Sequence, residues 1–388
     1  MEKVQSPIIP VIAELIAQNP GTISLGQGIV AYPPPPTILK AIERFFSLPN
    51  NHKYREVTGI PPLIEAISNK LERENQIVID RHRAIVVTAG SNMGFLNAIL
   101  AITQAGDEII LNTPYYFNHE MAIAMANCQP ILVATDENYQ LQITEIERAI
   151  TNKTKAIVTI SPNNPTGTVY SRQTLQTINN LCRERGIYHI SDEAYEYFIY
   201  DDAVHISPAS FPGSLEHTIS LFSFSKAYGL ASWRIGYMVI PQHLLMSIKK
   251  IQDTNLICPP VISQYVAIGA LEAGYNYCRE HIQEISNVRK VVLDRLQELA
   301  DIAVINYPKG AFYCLLKVPT QLSDLQVAKQ LIENERIAVI PGSTFGLHDG
   351  CYLRIAYGSL SVDNATLGIE RLIAGVKNLI VDRRSFLL

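Results

Sequence analysis

The stretch SFSKAYGLASWRIGY, residues 223–237, gathers one lysine, one arginine eight residues later, two serines just before the lysine, and the chain's single tryptophan. It is too poor in charge and too rich in glycine and aromatic residues for a solvated charged face. A lysine flanked by Ser and Gly in a tight loop can approach a ligand closely. Desolvation there lowers its pKa, which is what Schiff-base chemistry needs. Lys226 is therefore a candidate nucleophile, and Arg234 with the hydroxyls of Ser223 and Ser225 a candidate phosphate site. A surface lysine beside a structural arginine is the competing reading.

Upstream of this stretch, short apolar runs alternate with amphipathic segments. Residues 84–89, 107–112, 131–134, 155–161 and 187–191 read as strands. Residues 171–186 read as a helix, with Ser171 at the N-cap, apolar Leu175, Ile178 and Leu181 on one face, and Gly186 past the end. Strand and helix repeated in this way predict an α/β fold with a mostly parallel sheet covered on both faces. Ligands in such sheets sit at the carboxyl ends of the strands.

The ends of the chain read differently. Residues 37–47 and 61–75 are helical by period, and YPPPP (32–36) is a stiff connector. From about residue 275 a long amphipathic helix runs towards residue 299. Strand-like AFYCLLKV (311–318), a helix, IAVI (337–340) and YLRIAYG (352–358) follow. This predicts an N-terminal segment (1–44) packing with a smaller C-terminal α+β domain (279–388), around a large domain (45–278). DRRSFLL (382–388) reads as a helix end and tail.

Composition narrows the function. The 388 residues are 47% hydrophobic and 18% charged, as in a globular chain of two domains. A net charge of −4 with no Lys/Arg stripe argues against nucleic acid or an anionic membrane as partner. No run is apolar and long enough to span a bilayer, and no basic-then-apolar leader opens the chain. Cys128, Cys182, Cys258, Cys278, Cys314 and Cys351 are scattered, with no CxxC pair. That fits free thiols in a reducing, cytoplasmic compartment. The histidines do not pair at i, i+4, so no metal site is expected.

Further residues fall at strand ends. Asp192 follows the run 187–191 and precedes Glu193 and Tyr195, where a parallel sheet presents chemistry; taken alone it reads more simply as a helix cap. SPNNPTG (161–167) offers the Asn164 amide nearby. AGSNMG (89–94) joins a strand to a helix, so backbone N–H groups near Ser91 and Asn92 make an anion site. Tyr116, in TPYYFNHE (113–120), follows another strand and can stack on a planar ring.

A phosphate cup, a stacking ring, a carboxylate and an amine in this chain order resemble the class I and II aminotransferases, which use pyridoxal 5′-phosphate on the fold-type I scaffold. The likeness runs from LGQG (25–28) to YLRIAYGS (352–359). It implies that Lys226 carries the cofactor and moves the substrate's α-proton. Asp192 would pair with the ring nitrogen, and Asn164 and Tyr195 with the ring oxygen. Tyr116 would stack on the ring, while Ser91, Asn92, Ser223, Ser225 and Arg234 hold the phosphate. Tyr54 would reach the phosphate of a neighbouring subunit, which implies a homodimer with shared active sites. Arg354 would take the substrate α-carboxylate, with Asn164 and Gly28 beside the substrate.

Two departures from the family pattern are visible. Ser232 replaces the glycine usual before Trp233-Arg234, and Val30-Ala31 replaces a common Pro-Asp. Some acid-specific relatives carry lysine at the position of Asn92. Together with Tyr32 and Tyr115 near the expected substrate face, this predicts an L-amino acid donor with a neutral, sulfur-containing or aromatic side chain and a 2-oxo acid acceptor, in a ping-pong cycle. Aspartate as donor, a carbon–sulfur lyase and an aminocyclopropane-forming enzyme of the same fold are the alternatives. A regulator built on this fold would need an appended DNA-binding domain, for which the reading leaves no segment.

Overall fold

The computed structural model describes residue 1 and residues 4–384, so the last four residues of DRRSFLL lie outside the described residues. The described residues form thirteen strands, labelled in chain order. A two-residue strand, β1 (Ile23–Ser24), comes first. The large sheet follows: β2 (Arg83–Thr88), β3 (Glu108–Thr113), β4 (Gln129–Ala134), β5 (Thr154–Ile160), β6 (Tyr188–Asp192), β7 (Thr218–Ser223) and β8 (Gly236–Pro241). The C-terminal part holds β9 (Val304–Ile305), β10 (Tyr313–Val318), β11 (Ile337–Ala338), β12 (Ile340–Pro341) and β13 (Cys351–Ala356).

The large sheet has the order β2-β8-β7-β6-β5-β3-β4. β8 runs antiparallel to both of its neighbours, and the other adjacent pairs are parallel. The five runs read from sequence are strands within two residues of their expected limits. β7 and β8 were not among them, and they flank the lysine stretch. Reversing β8 has a consequence: its amino end, just after Arg234, lies at the same edge as the carboxyl ends of the parallel strands.

Both faces of the sheet are covered, which is why the strands are apolar without strict alternation. In β3, Ile109 and Leu111 face a core shared with Phe95 and Ile99, while Ile110 faces one shared with Leu175 and Ile178. The helix Arg172–Arg185 begins and ends as its sequence predicts. Ser171 accepts from the Thr174 N–H, and Gly186 takes the left-handed conformation at φ 65°.

The C-terminal part is a sheet of order β12-β13-β10-β9, and β1 pairs in parallel with β11. The N-terminal segment is stitched to it further: Leu25 N donates to Ala338 O at 2.8 Å, and Ala356 N to Leu25 O at 2.6 Å. The long helix starts earlier than expected, spanning Val261–Leu296, and breaks at Gly274 (φ 69°, ψ −170°). Its first half carries no strong polar face because it is buried against the helix Thr37–Ser47. A Cβ on Gly269 would come within 2.9 Å of Ala41 and Ile38, so only glycine allows that approach. No helix among the described residues is long and apolar enough to cross a membrane.

Candidate active site

One pocket at the carboxyl edge of the large sheet is lined by Ser91, Asn92, Tyr116, Asn164, Asp192, Tyr195, Ser223, Ser225, Lys226 and Arg234. All but Arg234 lie at or just after the carboxyl end of a strand, and Arg234 lies just before the amino end of β8. β2 delivers Ser91 and Asn92, β3 Tyr116, β5 Asn164, β6 Asp192 and Tyr195, and β7 the serines and Lys226.

One end of the pocket is built for an anion. The helix Ser91–Ile102 starts there, so its first backbone N–H groups are free of helical partners. Arg234 sits in the left-handed region at φ 49°, where its Nη1 donates to Ala231 O at 2.8 Å and Nη2 to Ala89 O at 3.4 Å. Gly90 makes room for this guanidinium: a Cβ there would lie 2.4 Å from Arg234 Nη2. Ser223 Oγ accepts from Ser225 N at 3.1 Å and holds the turn that carries both hydroxyls.

Lys226 projects into the middle of the pocket and donates to the carbonyl of Gly28. Its pKa is pushed down to about 8, chiefly by burial and then by the cations Arg354 and Arg234, with Asp192 opposing. About a tenth of such an amine is neutral at pH 7, against roughly one part in three thousand for a free lysine.

Asp192 is 5% exposed. Its Oδ1 accepts from Ala194 N at 3.1 Å, so the capping reading is correct for one oxygen, although a turn and not a helix follows. Its Oδ2 lies 3.1 Å from His119 Nε2. Sequence reasoning missed His119. The ring is buried, stacked on Phe95 at 3.9 Å and edge-on to Tyr116 at 5.3 Å. The available signal was its spacing, three residues past Tyr116 on the helix Phe117–Met125, which brings both to one side of a single turn. Burial raises the Tyr116 pKa, while hydrogen bonds with Asn92 and Asn118 act against the rise.

The fourth wall joins the two parts of the molecule. Asn164 Nδ2 donates to Tyr195 Oη at 3.4 Å, and Tyr195 Oη lies 2.7 Å from Tyr313 Oη, a second residue that the sequence reading missed. Arg354, 2% exposed, donates from Nη1 to Asn164 Oδ1 at 2.9 Å and from Nη2 to Gly26 O at 2.7 Å. Its guanidinium stacks over Tyr313 at 4.6 Å and Phe345 at 5.0 Å, and its Nε has no partner. A Cβ on Gly28 would lie 2.5 Å from Tyr313 Oη, so the backbone there needs glycine.

Tyr54, expected at a neighbouring subunit's phosphate, lies outside this pocket, and Tyr32 and Tyr115 are not on the substrate side. Tyr54 is 78% exposed and lines a separate surface groove with His52, Pro259 and Pro260. Tyr32 does not face the substrate side: its hydroxyl donates to Lys226 O at 2.8 Å, and its ring stacks on His281 at 4.3 Å. Tyr115 is buried behind the pocket with Leu111, Asn112 and Tyr170. Tyr32 turned inward to the backbone acceptors at Lys226 and Ala227, whereas the Tyr115 ring, 7% exposed, lies against Gly346.

A buried amine of lowered pKa, a buried carboxylate, an anion cup and an aromatic side chain in one pocket are the donor set that an aldehyde with a basic ring nitrogen and a phosphate requires. The residues present fit pyridoxal 5′-phosphate. Residues 20–372 match the family described as aminotransferase class I and II. An aspartate aminotransferase of Pyrococcus abyssi is 34% identical over 89% of this chain and 90% of its own length. The aromatic aminotransferase ISS1 of Arabidopsis thaliana is 31% identical over 96% and 94%. The crystal structure of an aromatic aminotransferase from Pyrococcus horikoshii superposes with a TM-score of 0.86 at 32% identity, covering 96% of this chain and 99% of that one. The chain belongs to the class I and II aminotransferases, enzymes that depend on pyridoxal 5′-phosphate.

Proposed function

We propose that the enzyme transfers the amino group of a neutral, sulfur-containing or aromatic L-amino acid to a 2-oxo acid at the pocket around Lys226. The observation that carries this is the set of cations there. Among the described residues they are Lys226, Arg234 and Arg354, and each has a task. Lys226 binds the cofactor and moves the proton at the substrate Cα. Arg234, the serines and the first turn at Ser91 and Asn92 hold the phosphate. Arg354 takes the α-carboxylate through a planar fork. No cation of this set is left for a side-chain carboxylate, and Asn92 carries no charge. Burying an unpaired carboxylate is costly.

When bound, the cofactor supplies an electron sink for the bond broken at Cα. The remaining work belongs to the protein. Asp192 holds a proton on the ring nitrogen, and the Ala194 N–H fixes the carboxylate that does so, with the His119 ring packed beside it. Tyr195 and Asn164 donate to the ring oxygen. Tyr116 covers one face of the ring and excludes water from it. Arg354 Nε has no partner and is the donor left for the carboxylate, while Nη1 holds Asn164 by its Oδ1 and leaves the Asn164 Nδ2 donor to the cofactor side. Gly28 leaves room for the substrate backbone.

The active unit in this reading is a homodimer in which Tyr54 reaches the partner's phosphate. Exposure of Tyr54 in a groove continuous with His52, and of Phe46 beside His52, supports a second copy on this face. In this reading β1 joins the segment 1–44 to 279–388, although the helix Thr37–Ser47 packs on the first half of Val261–Leu296, within 45–278. The six free cysteines, five of them buried, support a cytoplasmic setting.

Steady-state kinetics over a panel of donors tests the substrate class. Methionine, glutamine or an aromatic amino acid should exceed aspartate in kcat/KM by about tenfold or more. Aspartate ahead by that margin would overturn the reading. A second reading, with aspartate as donor, has one observation in its favour. Arg55 adjoins Tyr54 on the proposed dimer face, held by Asn51 at 3.2 Å and Glu56 at 3.5 Å, and could supply the charge across the interface.

A further inference from the structure

Tyr313 opens β10 and is 1% exposed. It touches both halves of the site. Its hydroxyl is 2.7 Å from that of Tyr195, and its ring carries the Arg354 guanidinium at 4.6 Å. A phenol has one proton to donate and two lone pairs to accept with. At Tyr195, one acceptor position faces the Asn164 amide at 3.4 Å and the other faces Tyr313. Either hydroxyl of this pair can donate; with Tyr313 as donor, both lone pairs of Tyr195 are occupied. The Tyr195 proton is then left with one direction, into the pocket. Other titratable or charged groups facing the pair are Tyr116 and Arg354.

We infer that Tyr313 is a positioning residue for the reaction: its hydroxyl donates to Tyr195 and so aims the Tyr195 proton at the cofactor's ring oxygen. This rests on the proposed role of Tyr195. A chain of hydrogen bonds polarises its members, so the donation also makes Tyr195 a stronger donor. The ring of Tyr313 has a separate task as the floor under Arg354. The two tasks belong to different atoms and can be separated by one substitution.

Tyr313→Phe removes the hydroxyl and keeps the floor. The ring oxygen beside the lysine linkage carries negative charge, and a weaker donor stabilises it less. The linkage then keeps its proton to higher pH. In the cofactor-loaded enzyme, the pH midpoint of the visible absorbance should rise by about half a unit, the scale of one buried neutral hydrogen bond. KM for the amino acid should stay within about twofold, because Arg354 is untouched. Tyr195→Phe should shift the midpoint further in the same direction, and adding Tyr313→Phe to it should change nothing more. A Tyr313→Phe midpoint equal to or below that of the parent, with Tyr195→Phe shifted, overturns the role of Tyr313 alone. So does a further rise in the double variant. No shift in Tyr195→Phe overturns the reading of the site itself.

Discussion

Lys226 is held where its charge is unwelcome, and removing that charge should stabilise the protein. Its pKa of about 8, against 10.5 for the free side chain, means that the folded state resists protonating it. The sign follows from linkage. Below pH 8 the unfolded chain and the folded chain both carry the proton, and the folded state bears the whole cost. Between pH 8 and 10.5 the unfolded state binds more protons than the folded one, so the cost fades as pH rises. For a shift of this size the cost is about 3 kcal/mol at pH 7 and about 1 kcal/mol at pH 9.5. Lys226→Met keeps the length and apolar character of the stem. Cofactor-free Lys226→Met should therefore unfold at a higher temperature than the cofactor-free parent at pH 7. The gap should be about 4 °C for a chain of this length. At pH 9.5 the gap should shrink by more than half. Taking the difference between the two proteins cancels the titration of every other group. Scanning calorimetry or urea titration at the two pH values makes the measurement. Because methionine also leaves the Gly28 carbonyl without its donor, the change of the gap with pH is the decisive reading, and a gap that does not depend on pH would refute the argument that Lys226 is strained by burial and by its neighbouring cations.

Much of this was legible because chemistry in a parallel sheet is delivered by strand ends, and strand ends are marked in sequence. Asp192, Asn164, Tyr116 and Ser91 each follow an apolar run closely enough to be read as sitting at its carboxyl edge. β7 and β8 were harder. β7 runs directly into the lysine turn without a polar break, and β8 follows Arg234 after only one residue. Their apolar residues were absorbed into a motif that already had an explanation. His119 and Tyr313 were missed for another reason. Neither is marked by its neighbours: one lies inside a helix and the other at the start of a buried strand, both positions where an aromatic residue reads as core. Their partners, Asp192 at 3.1 Å and Tyr195 at 2.7 Å, are 73 and 118 residues away in the chain. Such contacts are set by tertiary packing. Tyr32 shows the reverse error. The proline-rich connector was expected to hold Tyr32 near the substrate face, but the hydroxyl found backbone acceptors at Lys226 and Ala227 and the ring was drawn in.

Asp192→Asn should bind the cofactor, as judged by absorbance, but lose about a thousandfold or more in turnover, because an amide cannot hold the ring nitrogen protonated. A rate within tenfold of the parent would leave Asp192 only its bond to the Ala194 N–H. The dimer reading makes the sharpest forecast. Tyr54 lies outside its own chain's pocket, so it contributes to catalysis only if a second copy brings it to the phosphate site. Tyr54→Ala and Lys226→Ala subunits should each be poorly active alone. Mixed in equal amounts and allowed to exchange, half of the dimers are hybrids. In each hybrid, one site joins an intact Lys226 to an intact Tyr54, and the other site has neither. About a quarter of the parental activity should return. If Tyr54 served its own subunit, every site in the hybrid would lack one residue or the other, and mixing would restore nothing. Exchange is checked by tagging one variant and recovering both on the tag. Inactivity in mixtures shown to have exchanged would therefore rule out the shared site, and leave the exposed face around Tyr54 to some purpose other than catalysis.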